Sequence, residues 1–172
     1  MQFLPLIRNV GKAKALLLII LFTTAALAGF FTFKSLQSDF ETLEGKTYSW
    51  KDLQGQWVVV NYFAPWCAPC LREMPELASF HQSLPDDTQL FAVNYDPKTK
   101  TELIDMTKKY GIAVPVIVST SDTKLPMVKP PYLPATFIVG PDGNIKDTIM
   151  GEVTASSLHQ RLNELKGAGK TG

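Results

Sequence analysis

Cysteine occurs only twice in the 172 residues, at Cys67 and Cys70, and histidine only twice, at His81 and His159. A structural zinc site needs four such ligands, and neither histidine has ligand-like spacing to the cysteine pair. Net charge is also nearly absent. The balance is +1, which excludes the basic footprint of a nucleic-acid binder. Internal repeats and low-complexity tracts are missing. The most telling absence is local: no acidic residue occurs before Asp39, whereas Arg8, Lys12 and Lys14 are basic.

Directly after those basic residues comes the longest apolar run in the chain. Ala15 to Phe33 reads ALLLIILFTTAALAGFFTF, without a charge. As a helix it spans roughly 28 Å, about the thickness of a bilayer's hydrocarbon core. The run has no polar face, which argues against a helix buried in a globular core. Positive charge before the span places residues 1–14 in the cytoplasm and everything after Lys34 outside. A cleaved signal peptide is the competing reading, because Ala26-Leu27-Ala28 has the A-x-A form of a processing site. The apolar run continues past that site through Gly29, Phe30, Phe31 and Phe33, which favours a retained transmembrane anchor. Either way the remaining chain is exported.

A polar linker, 34–39, leads into the folded part, expected over 40–166 with a fraying tail at 167–172. Residues 40–43 and 46–48 read as a small hairpin around Glu44-Gly45. Trp57 to Phe63 (WVVVNYF) is an almost continuous apolar, β-branched run, the pattern of a strand buried on both faces. A helix is predicted from Cys67 to about Ser83, interrupted by Pro75. A second buried strand covers 89–95, and a second helix covers 99–110 with Gly111 as its stop. Val114 to Val118 can form a strand, although four prolines at 115, 126, 130 and 131 make much of 112–131 loop. Strands at 136–139 and 145–150 flank the turn Pro141-Asp142-Gly143-Asn144. Thr154 can cap a last helix running to about Leu165. The order β-α-β-α-β-β-α, after the hairpin, predicts an α/β fold with a central sheet and helices on both faces. A helix between the two long strands predicts a right-handed parallel crossover.

Within this frame the sequence Trp66-Cys67-Ala68-Pro69-Cys70 carries chemistry. Two unpaired thiols in an exported chain would be oxidised, so the pair is expected to bond to each other. Such a bond closes too short a loop to stabilise much, which points away from a structural staple. The pair follows a buried strand and opens a helix. Cys67 would then meet unpaired N–H groups and the positive end of the macrodipole, both of which favour a thiolate. Cys70, one turn on, would be more buried. Disulfide exchange needs these two roles, an exposed acidic attacker and a thiol that resolves the mixed disulfide. Half of a zinc site, a Cys/Cys/His copper site and an inert disulfide remain as alternatives.

The stretches VVVNYFAPWCAPCLREMPEL and YLPATFIVGPDGNI resemble the thioredoxin superfamily, specifically its membrane-anchored TlpA/ResA/DsbE-like branch, over residues 40–166. The resemblance implies a thioredoxin-like fold, a central mixed sheet flanked by helices with an N-terminal hairpin extension, behind one transmembrane helix. It implies Cys67 as nucleophile, Cys70 as resolving thiol, Trp66 and Leu133 beside the substrate, and Pro75 as the proline that bends the active-site helix. Pro134 resembles the family's cis-proline; an isomer is not legible in a sequence. One position departs from thioredoxin itself: its buried central-strand acid aligns with Asn61, which cannot titrate. Glu73 matches the acid of the ResA-like branch and can relay a proton for Cys70; otherwise it is an exposed helical glutamate. Arg72 and Lys129 read as solvated surface, and partner preference is expected to lie in 119–131.

The implied activity is thiol–disulfide exchange, with no cofactor beyond the Cys67–Cys70 disulfide itself. Pro69 before the second cysteine resembles reductants. The expected substrates are exported thiol or disulfide proteins, as in cytochrome c maturation or metal-site assembly. An oxidase or isomerase, or a copper-delivery module of the same fold, are the alternatives. A reductant outside the cytoplasm requires electrons from a membrane donor of the DsbD type. The chain is expected to act as a monomer at the bacterial cytoplasmic membrane, with its C-terminal domain extracytoplasmic.

Overall fold

The computed structural model describes residues 4–36 and 38–168. Two compact units divide between Ser38 and Asp39. The first unit contains one helix, α1, Leu4–Leu36. Its apolar side chains stand exposed in succession, from Leu16 at 62% through Ile20 at 50% to Phe22 at 79%. Among the described residues no helix is long and apolar enough to cross a membrane. The transmembrane anchor expected over 15–33 is therefore not shown.

The second unit holds a seven-stranded mixed sheet in the order β2-β1-β5-β4-β3-β6-β7. The strands are β1 Phe40–Thr42, β2 Thr47–Tyr48, β3 Trp57–Phe63, β4 Thr88–Asn94, β5 Val116–Val118, β6 Ala135–Val139 and β7 Ile145–Met150. The WVVVNYF run is the middle of the three-strand core β4-β3-β6 and is buried at every residue. It pairs parallel with β4 and antiparallel with β6. Alternation divides its side chains between two cores. Trp57, Val59 and Phe63 face one, while Val58, Val60 and Tyr62 face the other. Asn61 falls in the alternation with the first set. The 114–118 run does pair, over its last three residues, parallel to β4.

Three helices complete the unit: α2 Ala68–Gln82, α3 Lys100–Tyr110 and α4 Ala155–Ala168. Thr99 and Glu102 form a capping box at the start of α3, and Gly111 ends it in the left-handed region at φ 63°. Thr154 caps α4, its Oγ1 accepting from the Ser157 N–H at 3.1 Å. Of the expected tail, Gly167 and Ala168 complete α4, and residues 169–172 lie outside the described residues.

The expectation of helices on both faces is corrected. Leu77 and Phe80 of α2, Leu103 and Met106 of α3, and Leu158 and Leu162 of α4 all join a single core on one face. The reason is handedness. The β3-α2-β4 and β4-α3-β5 crossovers step across the sheet in the same direction, and right-handed crossovers then lie on the same side. Among the described residues the opposite core contains no helical side chain. It is closed by the β1-β2 hairpin, the 49–56 turns and the 119–133 loop, through Phe40, Leu53, Leu125 and Met127.

Candidate active site

The chain leaves β3 at Phe63 and enters α2 five residues later, and the cysteines occupy that junction. Cys67 is the N-cap of α2. It is joined to Cys70 by a disulfide, with the Cα atoms 5.3 Å apart. Cys67 Sγ accepts the Cys70 N–H at 3.3 Å, so a sulfur takes the place usually held by a serine or aspartate oxygen at an N-cap. Pro69 fits here because first-turn N–H groups have no helical partner to lose. Pro75 lies inside α2, where it removes the N–H that Leu71 C=O would accept. The expectation of an exposed Cys67 is corrected: it is 5% accessible and Cys70 is 0% accessible. Cys67 packs into the helix-side core with Phe63, Ala64 and Met74. The ranking of the pair nevertheless holds.

One turn beyond Cys70, Glu73 points into the same core and is 1% accessible. The reading of an exposed helical glutamate is thereby excluded. Asn61 of β3 donates Nδ2–H to Glu73 Oε1 at 2.8 Å and also to Thr136 Oγ1 of β6 at 3.0 Å. The Val153 N–H, between β7 and α4, donates to Glu73 Oε2 at 2.9 Å. Burial pushes the carboxyl up to about 7, and the hydrogen bonds from Val153 and Asn61 oppose that rise. The acid missing from position 61 is thus supplied from the neighbouring helix, with Asn61 as its partner. Residues on either side of Glu73 tie α2 to the same connection. Arg72 pairs with Glu152 at 2.6 Å, and Glu76 Oε2 accepts the Ala155 N–H at 3.0 Å.

The opposite rim is aromatic. Trp66 is 63% exposed. Its indole N–H donates to Asp96 Oδ2 at 2.6 Å, and its ring meets Tyr95 edge-on with centroids 6.0 Å apart. The Lys129 ammonium lies 3.6 Å from the centre of the Tyr95 ring. Lys129 is exposed, as expected of solvated surface, and its ammonium is seated over Tyr95 beside the site. Leu133 is half-buried against both cores, and the Leu133–Pro134 peptide is cis. Pro134 is buried and immediately precedes Ala135, which pairs with Tyr62. It thus lies at the end of the sheet from which β3 delivers Cys67. Asp96, Val153 and Thr136 are site residues that sequence reasoning missed. Only Asp96 left a trace, in the Asp96-Pro97 turn that ends β4. Among the described residues no group of three or more His, Cys, Asp or Glu could hold a metal ion. His159 instead contacts Ser83 Oγ at 2.9 Å and stacks edge-on with Phe80.

Known proteins resemble this chain in sequence and fold. The profile of the AhpC/TSA family matches residues 31–148. The thiol-disulfide oxidoreductase ResA of Geobacillus thermodenitrificans is 32% identical over 151 residues, covering 81% of this chain and 84% of the relative. The ResA of Bacillus subtilis is 30% identical over 127 residues, covering 73% and 70%. Among solved structures, StoA from Bacillus subtilis superposes with a TM-score of 0.59 at 24% identity, over 74% of this chain and 93% of its own. The exposed lipoprotein thioredoxin of Streptococcus pneumoniae gives 0.63 at 23% identity, over 73% and 96%. At such identities these structures speak for the fold.

Proposed function

The chain belongs to the AhpC/TSA family and is a thiol–disulfide oxidoreductase of the thioredoxin fold, and from that premise we propose that it reduces disulfides of specific exported proteins. The observation that carries the proposal is the Cys67–Cys70 disulfide at the N-cap of α2, one turn from the buried Glu73. In the reduced protein, Cys67 thiolate attacks one sulfur of the substrate disulfide. An S–S bond forms to Cys67, the substrate bond breaks, and the first substrate thiolate leaves. Cys70 then gives its proton to ionised Glu73 and attacks Cys67 Sγ. The Cys67–Cys70 bond forms and the second substrate thiolate leaves. Two electrons pass from the protein dithiol to the substrate. A carboxyl held near neutrality can both take and return that proton. Trp66, Leu133 and cis-Pro134 frame the approach to Cys67.

The reductant direction is supported by how few groups besides the N-terminus of α2 surround Cys67 Sγ to stabilise a thiolate. Strong oxidants of this kind stabilise their reduced form, chiefly through the thiolate. Among the described residues, Cys67 Sγ receives a single hydrogen bond, from Cys70 N–H. Arg72, the nearest basic residue in sequence, is bound to Glu152. The deciding measurement is the reduction potential of the Cys67–Cys70 couple. A value below roughly −230 mV supports a reductant, and one near about −120 mV supports an oxidant. A reductant needs electrons, for which a membrane thiol transporter of the DsbD type is the fitting donor. Substrates in cytochrome c maturation or metal-site assembly fit the same chemistry.

Export and anchoring belong to the same proposal. The support is the uncharged run 15–33 behind Arg8, Lys12 and Lys14, together with the exposed apolar side chains of α1. A helix that is apolar around its circumference is stable in lipid. The oxidoreductase unit, from Asp39 onward, then lies on the extracytoplasmic side of the cytoplasmic membrane.

A further inference from the structure

We propose that Asn61 is a positioning residue whose side-chain amide turns end for end as Glu73 gains or loses its proton, donating to the carboxylate and accepting from the acid. The inference rests on the reading of Glu73 as the group that takes the Cys70 proton.

As described, the network suits an ionised Glu73. Both carboxylate oxygens accept, Oε1 from Asn61 Nδ2–H at 2.8 Å and Oε2 from Val153 N–H at 2.9 Å. A carboxylate is acceptor-only, whereas the protonated acid carries an O–H that must itself find an acceptor. In a fully enclosed site, a donor without one is unfavourable. Of the two partners, the Val153 N–H is fixed in the backbone and can only donate. The Asn61 amide carries a donor and an acceptor of nearly equal size, so a half-turn about its last torsion exchanges them without repacking.

The turn breaks no hydrogen bond at the far end of the amide: Asn61 is 0% accessible, and among the described residues its Oδ1 has no hydrogen-bond partner. It carries the NH2 to that end, where the N–H groups need an acceptor in turn, and at the near end the orientation is decided by Glu73 and Thr136. The Thr136 hydroxyl now accepts from Nδ2 at 3.0 Å. A hydroxyl is also a rotatable donor, so it can serve Oδ1 after the turn. The Asn61 backbone meanwhile stays fixed between Ala92 on one side and Thr136 on the other.

The remaining groups around Glu73 leave this task to Asn61. The charged neighbour acting on it is Glu152, whose carboxylate is held by Arg72. Glu76 caps the start of α4 through Ala155, and Cys70 lies one turn back on the same helix. An aspartate at position 61 would place two carboxylates in contact, and they would share one proton as a coupled pair. An amide that can face either way instead gives each protonation state of Glu73 a partner, and so lets one buried acid cycle near neutrality.

The test is a titration by NMR of the oxidised full-length chain in detergent micelles, labelled with 13C and 15N, between about pH 5 and pH 9. The Glu73 carboxyl carbon reports protonation. Cross-relaxation from the Asn61 side-chain NH2 to Thr136 reports which end of the amide faces the hydroxyl. The expected result is loss of that cross-relaxation as the pH falls, with the same midpoint as the Glu73 carbon. In Glu73→Gln the cross-relaxation should no longer change with pH. Cross-relaxation that persists on both sides of the Glu73 midpoint would overturn the inference and leave Glu73 as the proton acceptor. Absence of any Glu73 midpoint in that range would instead sink the reading of Glu73, and the inference with it.

Discussion

Glu73 and Asn61, twelve residues apart in the chain, meet at 2.8 Å inside the helix-side core. One comes from the active-site helix and the other from the central strand. An acid that thioredoxin carries on the strand is carried here on the helix, and the strand residue has become its hydrogen-bond donor. Much of the behaviour expected of this protein stems from that exchange of places.

Stability should depend on pH through Glu73. Its folded pKa is raised from 4.5 to about 7, so the native state holds the proton more tightly than the unfolded chain. The resulting stabilisation is complete below about pH 4.5 and is lost as the pH rises through about 7, amounting to roughly 3 kcal/mol. Glu73→Gln should remove this slope. Urea unfolding of the oxidised proteins at both ends of that range checks it. Parallel pH dependences for parent and variant would show that Glu73 does not titrate there.

Exchange should depend on the same group. The resolving step needs ionised Glu73 to accept the Cys70 proton, so its rate should rise with pH through about 7. In Glu73→Gln that limb should disappear, leaving a slower step governed by the thiols, by roughly ten- to a hundredfold or more. Stopped-flow profiles that superimpose would reduce Glu73 to a packing residue.

These roles were only partly legible in the sequence. WVVVNYF announces a central strand because burial on both faces leaves no polar alternation, and the cysteines announce a redox pair by following it directly. Glu73 stood out because Asn61 could not titrate. Its second partner could not be foreseen, since Val153 lies 80 residues away and contributes only a backbone N–H. What Asp96 and Lys129 touch was hidden as well. Their contacts with Trp66 and Tyr95 join loops whose meeting depends on the whole sheet. The placement of all three helices on one face depended on strand order, which periodicity alone does not give.

Trp66 should matter for substrate rather than for folding. It is 63% exposed and is held by Asp96 at 2.6 Å. Trp66→Ala should raise KM for a protein disulfide several-fold and shift stability by less than about 1 kcal/mol. Asp96→Asn, which keeps an acceptor but removes the charge, should have a smaller effect in the same direction. Equal KM values for parent and Trp66→Ala would remove the indole from the docking surface.

Anchoring makes a separate prediction. The mature protein should retain residues 15–33 and remain with the membrane after a high-salt wash, with its C-terminal unit open to protease from outside. Intact mass and protease accessibility in spheroplasts decide this. A mature N-terminus at Gly29 would instead establish a cleaved leader.

The central claim is that Cys67 attacks and Cys70 resolves. Cys70 is the only other thiol in the chain, so Cys70→Ala should let the mixed disulfide accumulate. The measurement is mass spectrometry of the adducts carried by full-length Cys70→Ala from cells, with Cys67→Ser as the control. The account predicts a covalent partner bonded through Cys67, released by reductant and absent from the control. A well-expressed, folded Cys70→Ala protein with no adduct at Cys67 would contradict it.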